Sequence, residues 1–182
     1  MLRKFSSSIS WVECWLAAML AGVVSILILT NVIARALSSP IYWVDEVAIF
    51  SMVWMTFLAT TVVIKRRQTL SVTLVHEYVP KTVKKVLRVF SDLMVLLFSL
   101  LLLYFCMLWF EPITLFAVGF DISAFQMETF NFIYAETTNT LGLKKYLVWL
   151  VMPWVACSLI LHASVNLWDS VVMVFSAQQD SV

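Results

Sequence analysis

The alternation of apolar and polar positions divides the chain into four long apolar stretches, over about 11–37, 43–64, 84–110 and 144–168. About 20 apolar residues are enough to cross a bilayer. Stretches of that length predict helices, because a helix satisfies its own backbone groups where no water is available to do so. The breaks between them carry turn signals. Ser39-Pro40 predicts a tight turn after the first stretch, and Lys65-Arg66-Arg67 stops the second. Val79-Pro80 restarts a helix, with Pro80 suited to its first position. Glu111-Pro112 ends the third stretch, and Pro153 predicts a kink in the fourth.

Finer features sit on this frame. Ser10-x-x-Glu13 has the form of a capping box, which makes Glu13 a helix cap at the membrane edge. Ala17, Ala21 and Ser25, flanked by Ala18 and Gly22, form a small-residue stripe that lets another backbone approach closely. Asp92 follows Arg88 by one turn, and a local ion pair is expected there. Residues 70–78 are too short and mixed to cross and are expected at the interface. Residues 112–140 form the longest connection; with six aromatic residues they predict a short helix or re-entrant piece packed on the outer surface. No ionisable side chain falls near the centre of a stretch. Charge at mid-depth is costly and usually marks an ion path or substrate site, so the chain reads as a packing partner in a larger assembly.

Composition sharpens the class. Hydrophobic residues are 62% of the 182 and charged residues 13%, which leaves room for one four-helix membrane domain over 1–182 and little else. The first apolar run, at about 27 residues, exceeds the roughly 7–15 of a signal-peptide core and reads as a retained span. Arg3, Lys4 and the seven basic residues from Lys65 to Arg88 fall on one side, nine of the twelve. Arg35, Lys144 and Lys145 fall on the other, with Asp45, Glu46, Glu111, Asp121, Glu128 and Glu136. The positive side faces the cytoplasm, so the expected fold is all-α with four transmembrane helices and both termini inside. Trp11, Trp15 and Trp168 then mark the inner interface, and Trp43, Trp109 and Trp149 the outer one. Cys14, Cys106 and Cys157 lie in different apolar segments with no CxxC, and read as small apolar residues. No internal repeat is visible, which is unlike the usual secondary transporter.

Between residues 31 and 72 a more specific pattern emerges. Asn31-x-x-x-Arg35 closes the first stretch, and Trp43-Val44-Asp45-Glu46 opens the second. Trp54-x-x-Phe57-Leu58-Ala59 follows, then Lys65-Arg66-Arg67 leading into Leu70-Ser71-Val72. In order, spacing and topology this resembles the small membrane subunit (DctQ-like, Q subunit) of TRAP transporters, the tripartite ATP-independent periplasmic systems. The chain departs from that family in having Ala59 where glycine is frequent and Gln68-Thr69 where a histidine often follows the basic turn. His76 comes too late to replace that histidine, and the connection after the third span is longer than the family leads one to expect. The resemblance implies a non-catalytic subunit without cofactor or metal, in the bacterial inner membrane. It would scaffold and anchor a large elevator-type membrane subunit, sodium-coupled, that takes up a carboxylate-bearing solute delivered by a periplasmic binding protein. Expected partners are that large subunit, transiently the binding protein, and membrane lipids, with no nucleic acid.

Three groups of candidate residues follow. Asn31, Arg35, Trp43, Asp45 and Glu46 surround one outer turn, either as a docking patch or as a clamp between the first two spans. Lys65, Arg66 and Arg67 are expected to fix topology and meet lipid headgroups. Glu111, Asp121, Glu128 and Glu136 are candidates for touching a periplasmic partner. Two rival functions make different demands. A haem-bearing anchor needs paired intramembrane histidines, and here His162 stands alone within a span. A self-assembling channel or exporter needs a polar stripe, for which the second span offers Ser51, Thr56, Thr60 and Thr61.

Overall fold

The computed structural model describes residues 2–67 and 80–179, and is all-helical with no strand among them. Among the described residues seven helices follow in order: α1 (Leu2–Ala36), α2 (Tyr42–Arg66), α3 (Lys81–Phe110), α4 (Pro112–Ala117), α5 (Ile122–Thr129), α6 (Lys145–Trp149) and α7 (Val151–Gln179). Four stretches, in α1, α2, α3 running into α4, and α6 running into α7, are long and apolar enough to span a membrane. The interfacial segment expected over 70–78, with Gln68, Thr69 and His76, lies outside the described residues.

α1 packs along α2, and α3 along α7; α2 in turn rests on α7, and α1 touches α7 more lightly. α7 is the most enclosed span and α1 the least. Val151, Val155 and Leu159 of α7 form an apolar seam against Val53, Trp54, Phe57 and Ile64 of α2. Trp54 also donates its indole N–H to the Val148 carbonyl at 2.9 Å. The tryptophan and phenylalanine of the Trp54-x-x-Phe57 pattern therefore work as contacts between α2 and the fourth span.

Several expectations change on inspection. The first helix begins at Leu2, so Ser10 and Glu13 lie well inside it and form no capping box. The small-residue stripe is used within this chain only at Ala17; Ala18, Ala21, Gly22 and Ser25 are exposed. Pro80 sits at the N-cap of α3 rather than its first position. In the fourth span the helix is interrupted at Leu150, between α6 and α7 and within one turn of Pro153. The cause is still the proline: its ring lacks an N–H and crowds the carbonyl four residues back, that of Trp149. Cys157 is exposed on its helix, while Cys106 is buried.

The 112–140 connection folds as two short helices that return over the end of α3. Glu111, in the left-handed region at φ 39°, ends α3, and Pro112 opens α4. Gly119 at φ 64° helps turn the chain into α5, whose first amides are capped by Asp121 through Ser123 N at 2.9 Å. Phe125 is fully buried with Cys106, Phe110, Ile133 and Tyr134, and Leu115, Val118 and Ile122 pack around them. The last carbonyls of α3, which have no partner within the helix, are capped from this loop. Asn131 Nδ2 donates to the Trp109 carbonyl at 2.8 Å and the Tyr134 hydroxyl to that of Phe110 at 2.6 Å.

Candidate functional site

Polar side chains within this apolar bundle gather at three places, each joining elements distant in sequence. The deepest is centred on Glu13, which with His162 is completely buried. The Thr61 hydroxyl of α2 lies 2.8 Å from Glu13 Oε2, and His162 Nε2 of α7 lies 3.3 Å from the same oxygen. His162 Nδ1 in turn meets the Ser6 hydroxyl of α1 at 2.8 Å. Helical spacing aligns the contributors: Ser6, Ser10, Glu13 and Ala17 recur along one face of α1. Sequence reasoning missed this cluster. The sequence reads Glu13 as a helix cap and places no ionisable side chain near the centre of a span, and neither reading points to this contact. The one available signal was the coincidence of an acidic residue in the first span with the lone histidine of the fourth.

The second cluster closes the same end. Arg67, in the left-handed region at φ 53°, ends α2 with its N–H bonded to the Ile64 carbonyl. A non-glycine residue there carries strain, and the side chain is held firmly. It donates to Asp92 Oδ2 of α3 at 2.9 Å, and to the Asn166 carbonyl and Ser170 hydroxyl of α7 at 2.5 and 2.9 Å. Ser170 passes a further hydrogen bond to Asp92. So Asp92 pairs with Arg67 instead of the expected Arg88, whose guanidinium reaches Met173 Sδ at 3.6 Å. This corrects the grouping of the basic turn: Arg67 points into the bundle, whereas exposed Arg66 reaches Cys14 Sγ at 3.4 Å and Lys65 is half-buried. Arg3 and Asp169 form a further ion pair between α1 and α7.

The third cluster lies at the opposite end, and there the five candidate residues separate. Asp45 accepts from Asn31 Nδ2 and, at 2.6 Å, from Arg35, joining α1 to the first turn of α2. Glu46 faces away from them. Its carboxylate collects the backbone amides of Asn139, Thr140 and Leu141 at 2.8, 2.9 and 3.1 Å, together with the Thr140 hydroxyl. Three amides converging on one anion form a nest, and it fastens the turn between Thr137 and Lys144 to α2. That turn is closed by Thr138 N to the Leu143 carbonyl at 2.7 Å, with Gly142 at φ 63°. Trp43 is half-exposed and stands outside both sets of contacts.

The four acidic residues assigned to a periplasmic partner have mostly local work. Asp121 caps α5; Glu136 pairs with Lys145 at 3.2 Å; Glu111 lies 3.4 Å from Asn131 Nδ2. Glu128 is exposed. The threonine hydroxyls proposed for a pore stripe are taken up within the chain, although Thr56 and Thr60 lie on the exposed side of α2. Thr56 and Thr60 each donate to the carbonyl four residues back at 2.8 Å, and Thr61 lies against Glu13 and the Leu58 carbonyl. Nor do His, Cys, Asp and Glu gather in a metal-binding group among the described residues.

Chemically, then, these clusters join helices, and the outer faces of the spans are left apolar. Such a chain belongs to the class of multi-pass helical membrane proteins. The family model described as Tripartite ATP-independent periplasmic transporters, DctQ component, matches residues 24–173. The chain belongs to this family: it is a small permease component of a TRAP transporter, and not an enzyme. Neither the curated proteins nor the solved structures contain a match to it.

Proposed function

We propose that this chain is the anchoring subunit of a sodium-coupled TRAP transporter in a bacterial inner membrane. In this reading it is one four-helix domain that holds the large elevator-type subunit in place. That subunit imports a carboxylate-bearing solute handed over by a periplasmic binding protein. The distribution of basic residues, nine of twelve on the side of the termini, supports cytoplasmic termini.

The observation that carries the anchoring role is how the polar groups are used. Glu13, Arg67, Asp92 and His162 bond to one another or to neighbouring helices, so these buried polar groups are engaged in joining helices. Meanwhile α1, the least enclosed span, exposes Ala18, Ala21, Gly22 and Ser25, and a side chain added at Gly22 would meet nothing within 4 Å. Small residues on an open face allow close helix approach, so α1 is where the large subunit docks in this reading. The Asn31–Arg35–Asp45 set lies on the packed side of α1 and, by clamping it to α2 at the periplasmic edge, fixes the orientation of that open face, while half-exposed Trp43 stays free to meet a partner. Lys65 and Arg66 meet anionic headgroups.

Purification in mild detergent from a native host, through a carboxy-terminal tag, tests the assignment. A stoichiometric polytopic partner is expected by mass spectrometry, and Gly22→Leu should reduce its recovery several-fold while leaving the chain folded. A homo-oligomer with no partner would overturn the assignment and favour a channel.

A further inference from the structure

The cap made by α4 and α5 is apolar on both sides, which a water-facing cap would not be. Leu115, Val118, Ile122 and Phe125 point into the aromatic core. The opposite side carries Ile113 at 84%, Phe116 at 67% and Phe120 at 59% exposure, the two phenylalanines in edge contact at 4.9 Å. Depth follows from helix geometry. About 20 residues of α3 separate Arg88 from Trp109, and at about 1.5 Å per residue they span about 30 Å, the thickness of the hydrocarbon core. The Trp109–Trp149 ring pair, 5.6 Å apart, falls where an interfacial aromatic belt is expected. α4 begins three residues later. Along the chain, exposed apolar side chains run on from α3 (Phe105, Leu108) into α4 (Ile113, Phe116), with Glu111 the one charged residue between them. That continuity, and not exposure by itself, says what covers it.

We propose that the α4–α5 cap is seated in the lipid interface of the leaflet at this end, with Ile113, Phe116 and Phe120 inserted at the headgroup–acyl boundary. The exposed carboxylates Asp121 and Glu128 mark its water-facing edge. No lysine, arginine or histidine occurs between Arg88 and Lys144, so attachment rests on apolar area and is indifferent to anionic lipid. The cap then fixes the height of the third span in the bilayer. It contributes a lipid-bound surface here, where sequence reading had placed a partner-binding one.

Nitroxide labels test this in the full-length chain in nanodiscs, with Cys14, Cys106 and Cys157 replaced by alanine. Labels enter by Phe116→Cys, Phe120→Cys and, as the water-facing control, Glu128→Cys. The expected ratio of oxygen to nickel-chelate accessibility is several-fold higher at 116 and 120 than at 128. It should not change between phosphatidylcholine and a phosphatidylcholine–phosphatidylglycerol mixture. Ratios equal to the control would place the face in water and overturn the proposal. Exclusion of both reagents would mean a protein surface covers it, and would overturn it equally. If labelling disturbs folding, membrane-confined carbene photolabelling of the unmodified chain reads the same point, and an unlabelled 112–120 peptide would overturn it. None of these outcomes depends on the subunit assignment, which partner recovery tests separately.

Discussion

At the end that carries both termini, the helices meet through buried polar groups: Glu13 with His162 and Thr61, and Arg67 with Asp92 and Ser170. At the capped end α3, α5 and the fourth span meet through rings, with Phe110, Phe125 and Tyr146 each in edge contact with Tyr134, while α1 meets α2 there through the polar Asn31–Arg35–Asp45 set. The difference follows from what surrounds each end. Within lipid, two apolar helices gain little by exchanging acyl chains for each other, so hydrogen bonds and close packing specify which faces meet. At the interface and beyond, water is the competitor, and burying aromatic area stabilises directly. The terminal end is consequently specific and vulnerable to loss of a single partner. The capped end is held by volume.

Phe125→Ala should produce the largest effect, because it opens a cavity in the only aromatic core of the described residues. A fully buried phenylalanine reduced to alanine costs about 3–5 kcal/mol. The expected result is a clear fall in the unfolding midpoint in detergent, with loosening confined to 110–149 by hydrogen exchange. An effect no greater than that of an exposed control such as Phe105→Ala would break the contrast between the ends.

Arg67→Ala comes next and tests the terminal end. It leaves the largely buried Asp92, with a side chain 12% exposed, facing Ser170 without its cation, at a cost of about 3 kcal/mol. Arg67→Met with Asp92→Leu should recover most of that loss, since replacing both members of a buried pair is often neutral. Failure of the double variant to recover stability would mean that the left-handed turn at Arg67 needs this network to form at all. Glu13→Gln is a milder probe of the same end. It keeps an acceptor for Thr61 but weakens the contact with His162, and about 1 kcal/mol is expected. A double-mutant cycle with His162→Leu should show coupling of similar size.

How much of this was legible beforehand divides along the same line. The presence of four helices long and apolar enough to span a membrane, and the family pattern from Asn31 to Val72, were readable, because apolar length and punctuation are local properties. The start of α1 was misread because Ser10-x-x-Glu13 satisfies a local rule that a longer helix overrides. The polar pairings could not be read. Glu13 and His162 are 149 positions apart, and Arg67 and Asn166 are 99 apart; nothing local marks either pair. Asp92 shows the hazard plainly: Arg88 had the right spacing, and a residue from another helix had the better position. Asp45 and Glu46, adjacent in sequence, divide because helical neighbours lie about 100° apart around the axis, and one faces α1 while the other faces the 139–141 turn.

The smallest expected effect belongs to Tyr134, where the two kinds of chemistry meet. Its ring is part of the aromatic core, and its hydroxyl caps the Phe110 carbonyl at 2.6 Å. Tyr134→Phe keeps the ring and removes the cap, at a cost of about 1 kcal/mol. Burial, followed by the neighbouring Tyr146 and Glu111, raises its ionisation above the ordinary tyrosine value. The folded chain therefore holds the phenolic proton more tightly than the unfolded chain does. That contribution is complete below the unfolded value near 10 and is lost as pH rises through the folded one. The wild-type chain should thus lose stability above about pH 10 more steeply than Tyr134→Phe, with the two curves parallel at neutral pH. Parallel curves throughout would show that the phenol ionises as freely in the folded chain as in the unfolded one, and that the core around it admits water.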